Sequence, residues 1–131
     1  MTQATSEVRV RYAETDKMGV VYYANYFTWF EVGRTDLLRQ LGTTYKDLER
    51  QSVFLPVISA QCRYVKPARY DDVLRITTTA ARANGVRLTF QYEVHRAEDD
   101  VLLATGATQH VVLDGSGKPR RIPDSLRHLL E

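Results

Sequence analysis

Residues 12–42 read YAETDKMGVVYYANYFTWFEVGRTDLLRQLG and divide into a polar turn followed by a long helical pattern. Asp16 and Gly19 are residue types that bend a chain, and a side-chain oxygen at such a turn can cap a helix. Over residues 22–41 there is no proline, and polar side chains recur every three or four residues in one narrow stripe. Gly42 follows, where a left-handed helix end costs little. The pattern predicts a helix that other structure encloses, because most of its circumference is apolar.

The start of this helix has a chemical consequence. N–H groups in the first turn of a helix have no partners within it and lie at the positive end of its dipole, so a buried helix start can stabilise an oxyanion. Asp16 precedes the predicted start by a few residues. A carboxylate beside an oxyanion site is the minimum equipment for acyl transfer.

A run of matched positions gives the chain a specific family resemblance. The run comprises Tyr12-x-x-Thr15-Asp16-x-x-Gly19-Val20-Val21-Tyr22-Tyr23-Ala24-Asn25-Tyr26, then Phe30-Glu31 and Arg34, and later Tyr64-x-x-Pro67-Ala68-x-x-Asp71-Asp72. It resembles the signature of the hot-dog fold acyl-CoA thioesterases of the 4-hydroxybenzoyl-CoA thioesterase group. It is especially similar to the branch encoded beside the Tol-Pal envelope system. The resemblance covers the chain to about Leu113.

The resemblance implies an acyl-CoA thioesterase that uses no metal or redox cofactor. In the family, the residue equivalent to Asp16 either attacks the thioester carbonyl or activates a water that does so, and both routes need an ionised carboxylate. The N–H of Tyr23 would polarise the thioester oxygen. Since the Tol-Pal branch has histidine at this position, a general-acid role does not carry over. The Tyr23 hydroxyl either substitutes as a hydrogen-bond donor or only packs.

Four further positions are candidate site residues, each with a structural alternative. Tyr12 matches a tyrosine beside the family's catalytic aspartate, and as an inward strand residue it equally fits the core. Glu31 matches an acidic position near the family's site, but Arg34 lies three residues on and a helical ion pair would also explain it. Asn25 and Thr28 lie on the polar stripe, where they either line the substrate pocket or satisfy buried backbone groups.

Coenzyme A carries several phosphates, so basic residues should surround the mouth of the pocket. In the 4-hydroxybenzoyl enzyme, arginines at a hairpin hold the nucleotide, but the matching turn here is Asn84-Gly85. The candidates for phosphate contacts are Arg63, Lys66 and Arg69 after the second strand, Arg82 and Arg87, which flank the turn, and Lys118, Arg120 and Arg121 near the end of the chain, and we assign the contacts first to Arg63, Lys66, Arg82 and Arg87. Solvated strand charges are the alternative for the last two.

The remainder of the chain reads as strands and short helices. Alternating apolar residues predict strands over 7–12, 54–66, 72–83, 86–96 and 101–113, and short helices open after Thr44 and Pro123. One strand, one long helix and four strands joined by tight turns predict an α+β fold. We expect a single domain over residues 1–131, in which a five-stranded antiparallel sheet wraps around one long central helix. The hot-dog fold has this order.

Composition excludes several classes of protein. A chain of 131 residues, 44% hydrophobic and with a net charge of +2, suits one core and argues against a dedicated nucleic-acid partner. Cys62 is the single cysteine, which fits a reducing compartment. The chain shows no leader and no membrane-spanning stretch, so we expect a cytoplasmic protein that does not enter the membrane. No metal-ligand spacing and no Gly-x-Ser-x-Gly motif occur, so neither a metal site nor serine hydrolase chemistry is predicted.

Two other functions compete with hydrolysis. Acyl hydratases of this fold have histidine five residues after the aspartate, where this chain has Val21, which argues against hydration. A non-catalytic acyl-CoA-binding or scaffold subunit would keep the pocket without turnover. Family members are dimers or tetramers with active sites between subunits, and pairing a sheet edge with a second copy protects that edge. We therefore expect a homo-oligomer, with a short-chain or aromatic acyl group as substrate.

Overall fold

The computed structural model describes residues 2–130, which form one sheet and three α-helices. The elements are β1 Gln3–Arg9, α1 Asn25–Gln40, α2 Tyr45–Arg50, β2 Val57–Tyr64, β3 Val73–Asn84, β4 Arg87–Arg96, β5 Val101–Val111 and α3 Asp124–Leu130. A short 3-10 turn, Tyr12–Glu14, lies between β1 and α1. The predicted order of one strand, a long helix and four strands is confirmed.

All five strands pair antiparallel, in the spatial order β1-β3-β4-β5-β2. The two-residue loop Gly85-Val86 joins β3 to β4, with Gly85 at a φ of 64°, whereas Asn84 still belongs to β3 and pairs with Arg87. The hairpin that Asn84-Gly85 predicts is therefore present, with its loop one residue later. β1 and β2 are left as the two edges of the sheet. The predicted α+β class and five-stranded antiparallel sheet are therefore confirmed.

α1 packs on one face of the sheet through aromatic side chains and leucines. Phe30 stacks on Tyr92 of β4 with ring centroids 4.3 Å apart, and both side chains are buried. Two glycines permit this close approach. A Cβ atom on Gly33 of α1 would overlap the side chain of Thr78, and one on Gly106 of β5 would overlap the Phe30 ring. The close packing of α1 on the sheet thus depends on the absence of a side chain at Gly33 and at Gly106.

The opposite face of α1 is open to solvent in the single chain. Thr28, Glu31 and Arg39 on this face are exposed, so the expectation that other structure encloses the helix on all sides is wrong for one chain. The helix also begins at Asn25 rather than at Tyr22. The aromatic residues that made the pattern look apolar all round therefore belong partly to the turn before the helix.

β1 begins earlier than the alternating pattern predicts. Gln3 pairs with Thr79 and Arg9 pairs with Val73, so the strand covers residues 3–9 rather than 7–12. Its inward positions near the N-terminus are the small residues Ala4 and Ser6, which are buried. Small and polar side chains give little hydrophobic periodicity, and this is why the first half of the strand was missed.

A buried polar chain crosses the core beside the start of β2. The Nδ1 atom of buried His110 lies 3.0 Å from the Leu55 carbonyl oxygen, and its Nε2 lies 2.9 Å from Thr108 Oγ1. A carbonyl only accepts, so Nδ1 carries the proton and Nε2 accepts from the Thr108 hydroxyl. Thr108 Oγ1 then accepts from Tyr92 Oη, 2.6 Å away. Burial lowers the pKa of His110, which keeps the imidazole neutral in this chain of bonds.

This arrangement predicts a pH dependence of stability. Because the folded pKa of His110 lies below its ordinary value near 6.5, the unfolded chain binds the proton first as pH falls. The free energy of unfolding should therefore decline below about pH 6.5, with a slope from this group of at most about 1.4 kcal/mol per pH unit. Urea titrations at pH 7.5 and pH 5.5 measure it. His110→Gln should be less stable at pH 7.5 and should show a shallower loss on acidification; equal slopes would contradict the prediction.

Candidate active site

A tight turn places Asp16 ahead of α1. The Asp16 N–H donates to Val20 O at 2.8 Å, the Gly19 N–H donates to Asp16 O at 3.0 Å, and Thr15 bridges to Val21. Gly19 has a φ of 82°, a conformation that favours glycine. The Asp16 carboxylate accepts the Met18 N–H at 2.8 Å and no other donor within residues 2–130. One carboxylate oxygen is therefore held while the side chain stays half-exposed.

The peptide groups before α1 present N–H donors without acceptors. The carbonyls of Tyr22, Tyr23 and Ala24 accept the first N–H groups of α1, at 3.0, 3.4 and 3.2 Å. Neither the Tyr23 N–H nor the Ala24 N–H has a backbone or side-chain acceptor in the part of the chain that the structure describes. The C=O and N–H of a trans peptide point in opposite directions, so these two N–H groups point away from the helix. They form the open positive end of its dipole.

Tyr64 at the end of β2 fixes one of these peptides. Its Oη donates to Tyr23 O at 3.0 Å, and Tyr23 O shares a peptide plane with the Ala24 N–H. Partial burial and, to a lesser extent, a hydrogen bond with Cys62 raise the pKa of Tyr64 well above its usual value. The phenol therefore keeps its proton and remains a hydrogen-bond donor. The Tyr26 ring lies edge-on to Tyr64, with centroids 5.0 Å apart. The aromatic side chains therefore orient the backbone at the start of α1.

A cleft of about 300 Å³ brings these groups together. Asp16 and Tyr23 come from the segment before α1, and Tyr64 and Lys66 come from the end of β2 and the residues just after it. The full lining is mostly apolar and consists of Asp16, Met18, Val20, Val21, Tyr23, Tyr26, Tyr64, Val65, Lys66 and Pro67. A carboxylate, two free N–H donors at a helix start and an apolar wall are what an acyl-transfer site requires.

Several predicted site residues lie outside this cleft. Tyr12 is 78% exposed, with its ring edge-on to Tyr70 at 5.6 Å, so its alternative placement in the core is wrong. Asn25 Nδ2 donates to Glu14 O at 2.9 Å. The side chain therefore satisfies a backbone group, which is the structural alternative given for it in the sequence analysis. This bond ties the start of α1 to the 3-10 turn. Neither side chain lines the cleft.

Thr28 and Glu31 lie on the exposed face of α1, away from the cleft lining. The ion pair expected between Glu31 and Arg34 does not form among the described residues. Arg34 turns inward instead and donates from Nε to Tyr45 Oη at 3.1 Å. Burial lowers the pKa of Arg34, but the half-buried Tyr45 and the buried Tyr92 together outweigh this effect, and the pKa is raised. The guanidinium thus belongs to the polar chain that also contains His110.

The basic residues predicted to hold phosphates are spread over the molecule. Lys66 lines the cleft. Arg63 lies on the sheet face opposite α1, in a trough that Glu93 and Thr105 also line. Arg82 and Arg87 flank the β3–β4 turn at the other end of the sheet, since Arg87 pairs with Val111 whereas Tyr64 pairs with Ala104. These two positions on β5 are seven residues apart, roughly 24 Å.

Tyr64 and Tyr26 are the site residues that the sequence reasoning missed. Both stand in the motif that carries the family resemblance, but neither was given a role. The alternating pattern places Tyr64 only as a residue of its strand, and it does not indicate that the hydroxyl reaches the Tyr23 carbonyl. The available signal is the motif Tyr64-x-x-Pro67, which belongs to the family resemblance.

The described residues also contain no cluster of three or more potential metal ligands. In residues 2–130, no helix has the length and hydropathy needed to cross a membrane.

Comparisons with known proteins agree with this geometry. The family model described as "Thioesterase-like superfamily" matches residues 10–130. The "Putative acyl-CoA thioesterase YneP" of Bacillus subtilis is 36% identical, over 87% of this chain and 82% of that protein. The "Acyl-CoA thioester hydrolase YbgC" of Escherichia coli is 34% identical, over 91% of this chain and 89% of that protein.

A solved structure extends the likeness to three dimensions. The DHNA-CoA thioesterase of Staphylococcus aureus is 37% identical and superposes with a TM-score of 0.87, over 92% of this chain and 81% of that one. The predicted hot-dog fold is confirmed by such likenesses. The prediction of a thioester hydrolase is confirmed at the level of the family. The chain belongs to the thioesterase-like superfamily.

Proposed function

We propose that the protein is an acyl-CoA thioesterase that hydrolyses an acyl-CoA to a free acid and coenzyme A, with Asp16 as nucleophile or general base. One observation carries the proposal: Asp16 and Tyr23, whose N–H has no acceptor within residues 2–130, line the same apolar cleft beside the start of α1. The names of the relatives from Bacillus subtilis and Escherichia coli support the same activity.

The chemistry follows from these groups. The thioester carbonyl oxygen accepts the Tyr23 N–H, and the carbonyl carbon is attacked either by the Asp16 carboxylate or by a water that gives a proton to it. Negative charge develops on the carbonyl oxygen, where the N–H groups and the dipole of α1 stabilise it; one such donor contributes about 3–4 kcal/mol. The C–S bond then breaks, and coenzyme A leaves as the thiolate and takes up a proton. On the nucleophilic route, water hydrolyses the acyl-Asp16 anhydride.

The acyl group would lie against the apolar part of the cleft. Met18, Val65 and Pro67 offer aliphatic surface, and the rings of Tyr23 and Tyr64 offer an edge-to-face wall. A short aliphatic chain and an aromatic acid both match this lining. The related enzyme from Staphylococcus aureus is named for an aromatic acyl-CoA, which favours including aryl substrates in any assay. A non-catalytic acyl-CoA-binding subunit remains the competing function.

A second copy of the chain would complete the site. β2 is an edge strand whose residues are exposed on both faces, including Val57, Ile58 and Tyr64 at 44–46%. The apolar residues whose alternation predicts this strand are therefore not buried in a single chain. An open edge with exposed apolar residues favours pairing with another copy. An antiparallel β2–β2 pair would place the partner's start of β2 beside the Tyr64 end, next to the cleft.

A cytoplasmic location stays a prediction, supported by the single cysteine, Cys62, which is free and half-buried. The exposed residues Thr28 and Glu31 keep a proposed substrate role only if the subunit contact places them beside the bound acyl-CoA. The proposed function does not depend on them.

Replacing the catalytic carboxylate gives the first test. Asp16→Asn retains an acceptor for the Met18 N–H but is neither a base nor a nucleophile, so kcat should fall roughly 10²–10⁴-fold. Thiol release from short, long and aromatic acyl-CoAs measures it. Asp36→Asn, a half-exposed position on α1 that pairs with Arg39, is the matched control and should keep wild-type turnover. Wild-type protein that binds but never hydrolyses acyl-CoA would favour the binding subunit, and an active Asp16→Asn would move the chemistry elsewhere.

The orientation of the oxyanion donors gives a second test. Tyr64→Phe removes the hydrogen bond to Tyr23 O and frees the Tyr23–Ala24 peptide to rotate. Loss of one such bond is worth about 1 kcal/mol, so kcat should fall about fivefold with little change in Tm. Tyr70→Phe, another exposed tyrosine, serves as the control. Unchanged kcat in Tyr64→Phe would show that this bond does not orient the donors.

The subunit contact can be tested at β2. Wild-type protein should be a dimer or tetramer by light scattering, and Ile58→Glu should weaken association because it places a charge on the pairing strand. Turnover should fall together with the oligomer fraction. Leu129→Glu, at a 38% exposed position on α3, is the control and should leave both unchanged. A wild-type monomer with full activity would overturn the shared site while leaving the proposed reaction standing.

A further inference from the structure

The backbone carbonyl of Glu14 lies at the base of the loop that carries Asp16. Its oxygen accepts two hydrogen bonds, one from the Tyr22 N–H at 2.8 Å and one from Asn25 Nδ2 at 2.9 Å. Glu14 precedes Asp16 in the chain, whereas both donors follow it. The two bonds therefore close the loop on one carbonyl, and that carbonyl belongs to a buried residue.

Glu14 is itself fixed to the body of the fold. The Arg11 N–H donates to Glu14 Oε1 at 2.7 Å, and the Glu14 N–H donates back to Arg11 O at 3.0 Å. Next to Arg11, the Val10 N–H donates to Asp72 O at 2.8 Å, and Val10 O accepts the Asp71 N–H at 3.0 Å, just before β3 begins. The position of the Glu14 carbonyl thus follows from bonds to the backbone beside the sheet.

Asn25 joins this carbonyl to the peptide that carries an oxyanion donor. The Asn25 backbone N–H donates to Tyr22 O at 3.0 Å. Tyr22 O and the Tyr23 N–H belong to one planar peptide, so this bond sets the direction of the Tyr23 N–H. The Asn25 side chain is bonded to Glu14 O at the same time. One half-buried residue therefore holds the donor peptide against the Glu14 carbonyl.

The Asn25 side chain is not a helix cap. A side chain that caps a helix start accepts an N–H of the first turn, and asparagine is among the residues that do so most often. Within residues 2–130, α1 has no such side-chain cap, and the Asn25 amide donates to a carbonyl outside the helix instead. The bond therefore acts on the position of the helix start and leaves its N–H groups free.

The Asp16 carboxylate is tied to the same carbonyl through a short, constrained stretch. Only Thr15 separates Asp16 from Glu14, and Thr15 lies in an antiparallel bridge at the base of the loop. Asp16 is thus two residues after Glu14, and the Tyr23 N–H is two residues before Asn25. Acyl transfer requires the carboxylate and the donor to meet different atoms of one carbonyl group, and a misplacement of about 1 Å can cost roughly 10²-fold in rate.

We propose that Asn25 is a positioning residue for thioester hydrolysis, which holds the Tyr23 N–H at the distance from the Asp16 carboxylate that one substrate carbonyl group requires. The proposal rests on the proposed thioesterase function. It gives Asn25 a role without contact with the substrate, in agreement with its position outside the cleft lining. Tyr64 orients the next peptide, which bears the Ala24 N–H, so the two side chains act on successive donors.

Removing the Asn25 amide tests the proposal. Asn25→Ala breaks the bond to Glu14 O, but that oxygen keeps the Tyr22 N–H and alanine favours helices, so Tm should change little. The kcat should fall about fivefold through the loss of one hydrogen bond, with KM unchanged, because the oxyanion donor contributes mainly in the transition state. Gln40→Ala truncates an exposed amide at the other end of α1 and is the matched control, with wild-type kcat expected. Unchanged kcat in Asn25→Ala, with or without a lower Tm, would overturn the proposal.

A bound carbonyl reports the direction of the donor. The probe is an acyl-CoA ketone analogue that cannot be hydrolysed, in which a methylene group replaces the sulfur and the carbonyl carbon is ¹³C. Its infrared C=O stretch in the bound state should lie at a lower frequency in wild-type protein and in Gln40→Ala than in Asn25→Ala, since a well-directed N–H polarises the carbonyl. A role confined to the stability of α1 would leave this frequency unchanged in folded protein. Equal frequencies in wild type and Asn25→Ala would overturn the proposal even if kcat falls.

The two measurements separate this inference from the proposed function. If wild-type protein hydrolyses no acyl-CoA, the proposed function fails, whereas a lower C=O frequency in wild type than in Asn25→Ala still supports the positioning of the donor. If wild-type protein hydrolyses acyl-CoA and Asn25→Ala matches it in both kcat and C=O frequency, the reaction stands and the role of Asn25 is wrong.

Discussion

Two backbone hydrogen bonds hold the segment before α1, and the candidate site depends on both. The Val21 N–H donates to Ala68 O at 2.9 Å, and the Tyr22 N–H donates to Glu14 O at 2.8 Å. They occupy the N–H groups of Val21 and Tyr22, whereas the next two N–H groups, those of Tyr23 and Ala24, have no acceptor within residues 2–130.

The sheet supplies what this segment needs from outside. Ala68 is fully buried in the connection from β2 to β3, and Tyr64 at the end of β2 reaches Tyr23 O. On the helix side, Gly106 lets Phe30 reach the sheet, which brings α1 close enough for its N-terminus to meet β2. Backbone hydrogen bonds thus hold the segment before α1, and side-chain packing holds α1 against the sheet. The hydrogen bond from Tyr64 to Tyr23 O joins two parts of the chain that are 41 residues apart.

Sequence reasoning reached the fold and named Asp16, which lines the cleft, but it did not name most of the other residues that line it. The β3–β4 hairpin and the succession of strands along the chain were predictable because Asn84-Gly85 and period-2 alternation are local signals. Asp16 was predictable because a turn and a helix start carry local signals too. Tyr64 was missed because its role depends on a contact with Tyr23, distant in sequence. For Asn25 the sequence left two alternatives open, and the structure shows that its side chain donates to the backbone carbonyl of Glu14. A sequence pattern cannot identify such a backbone partner.

The open state of the cleft in a single chain bears on the strength of its electrostatics. Asp16 is half-exposed and Tyr23 is exposed, so water screens the carboxylate and the N–H donors. Oxyanion stabilisation is largest where water is excluded and the donors are already oriented. A single chain orients the N–H donors through Tyr64 and the start of α1, but it does not exclude water from the cleft. The exposed apolar edge at β2 lies beside the same cleft, so burying it against a second copy would remove water from both at once. Fold stability and catalytic strength would then depend on the same subunit contact.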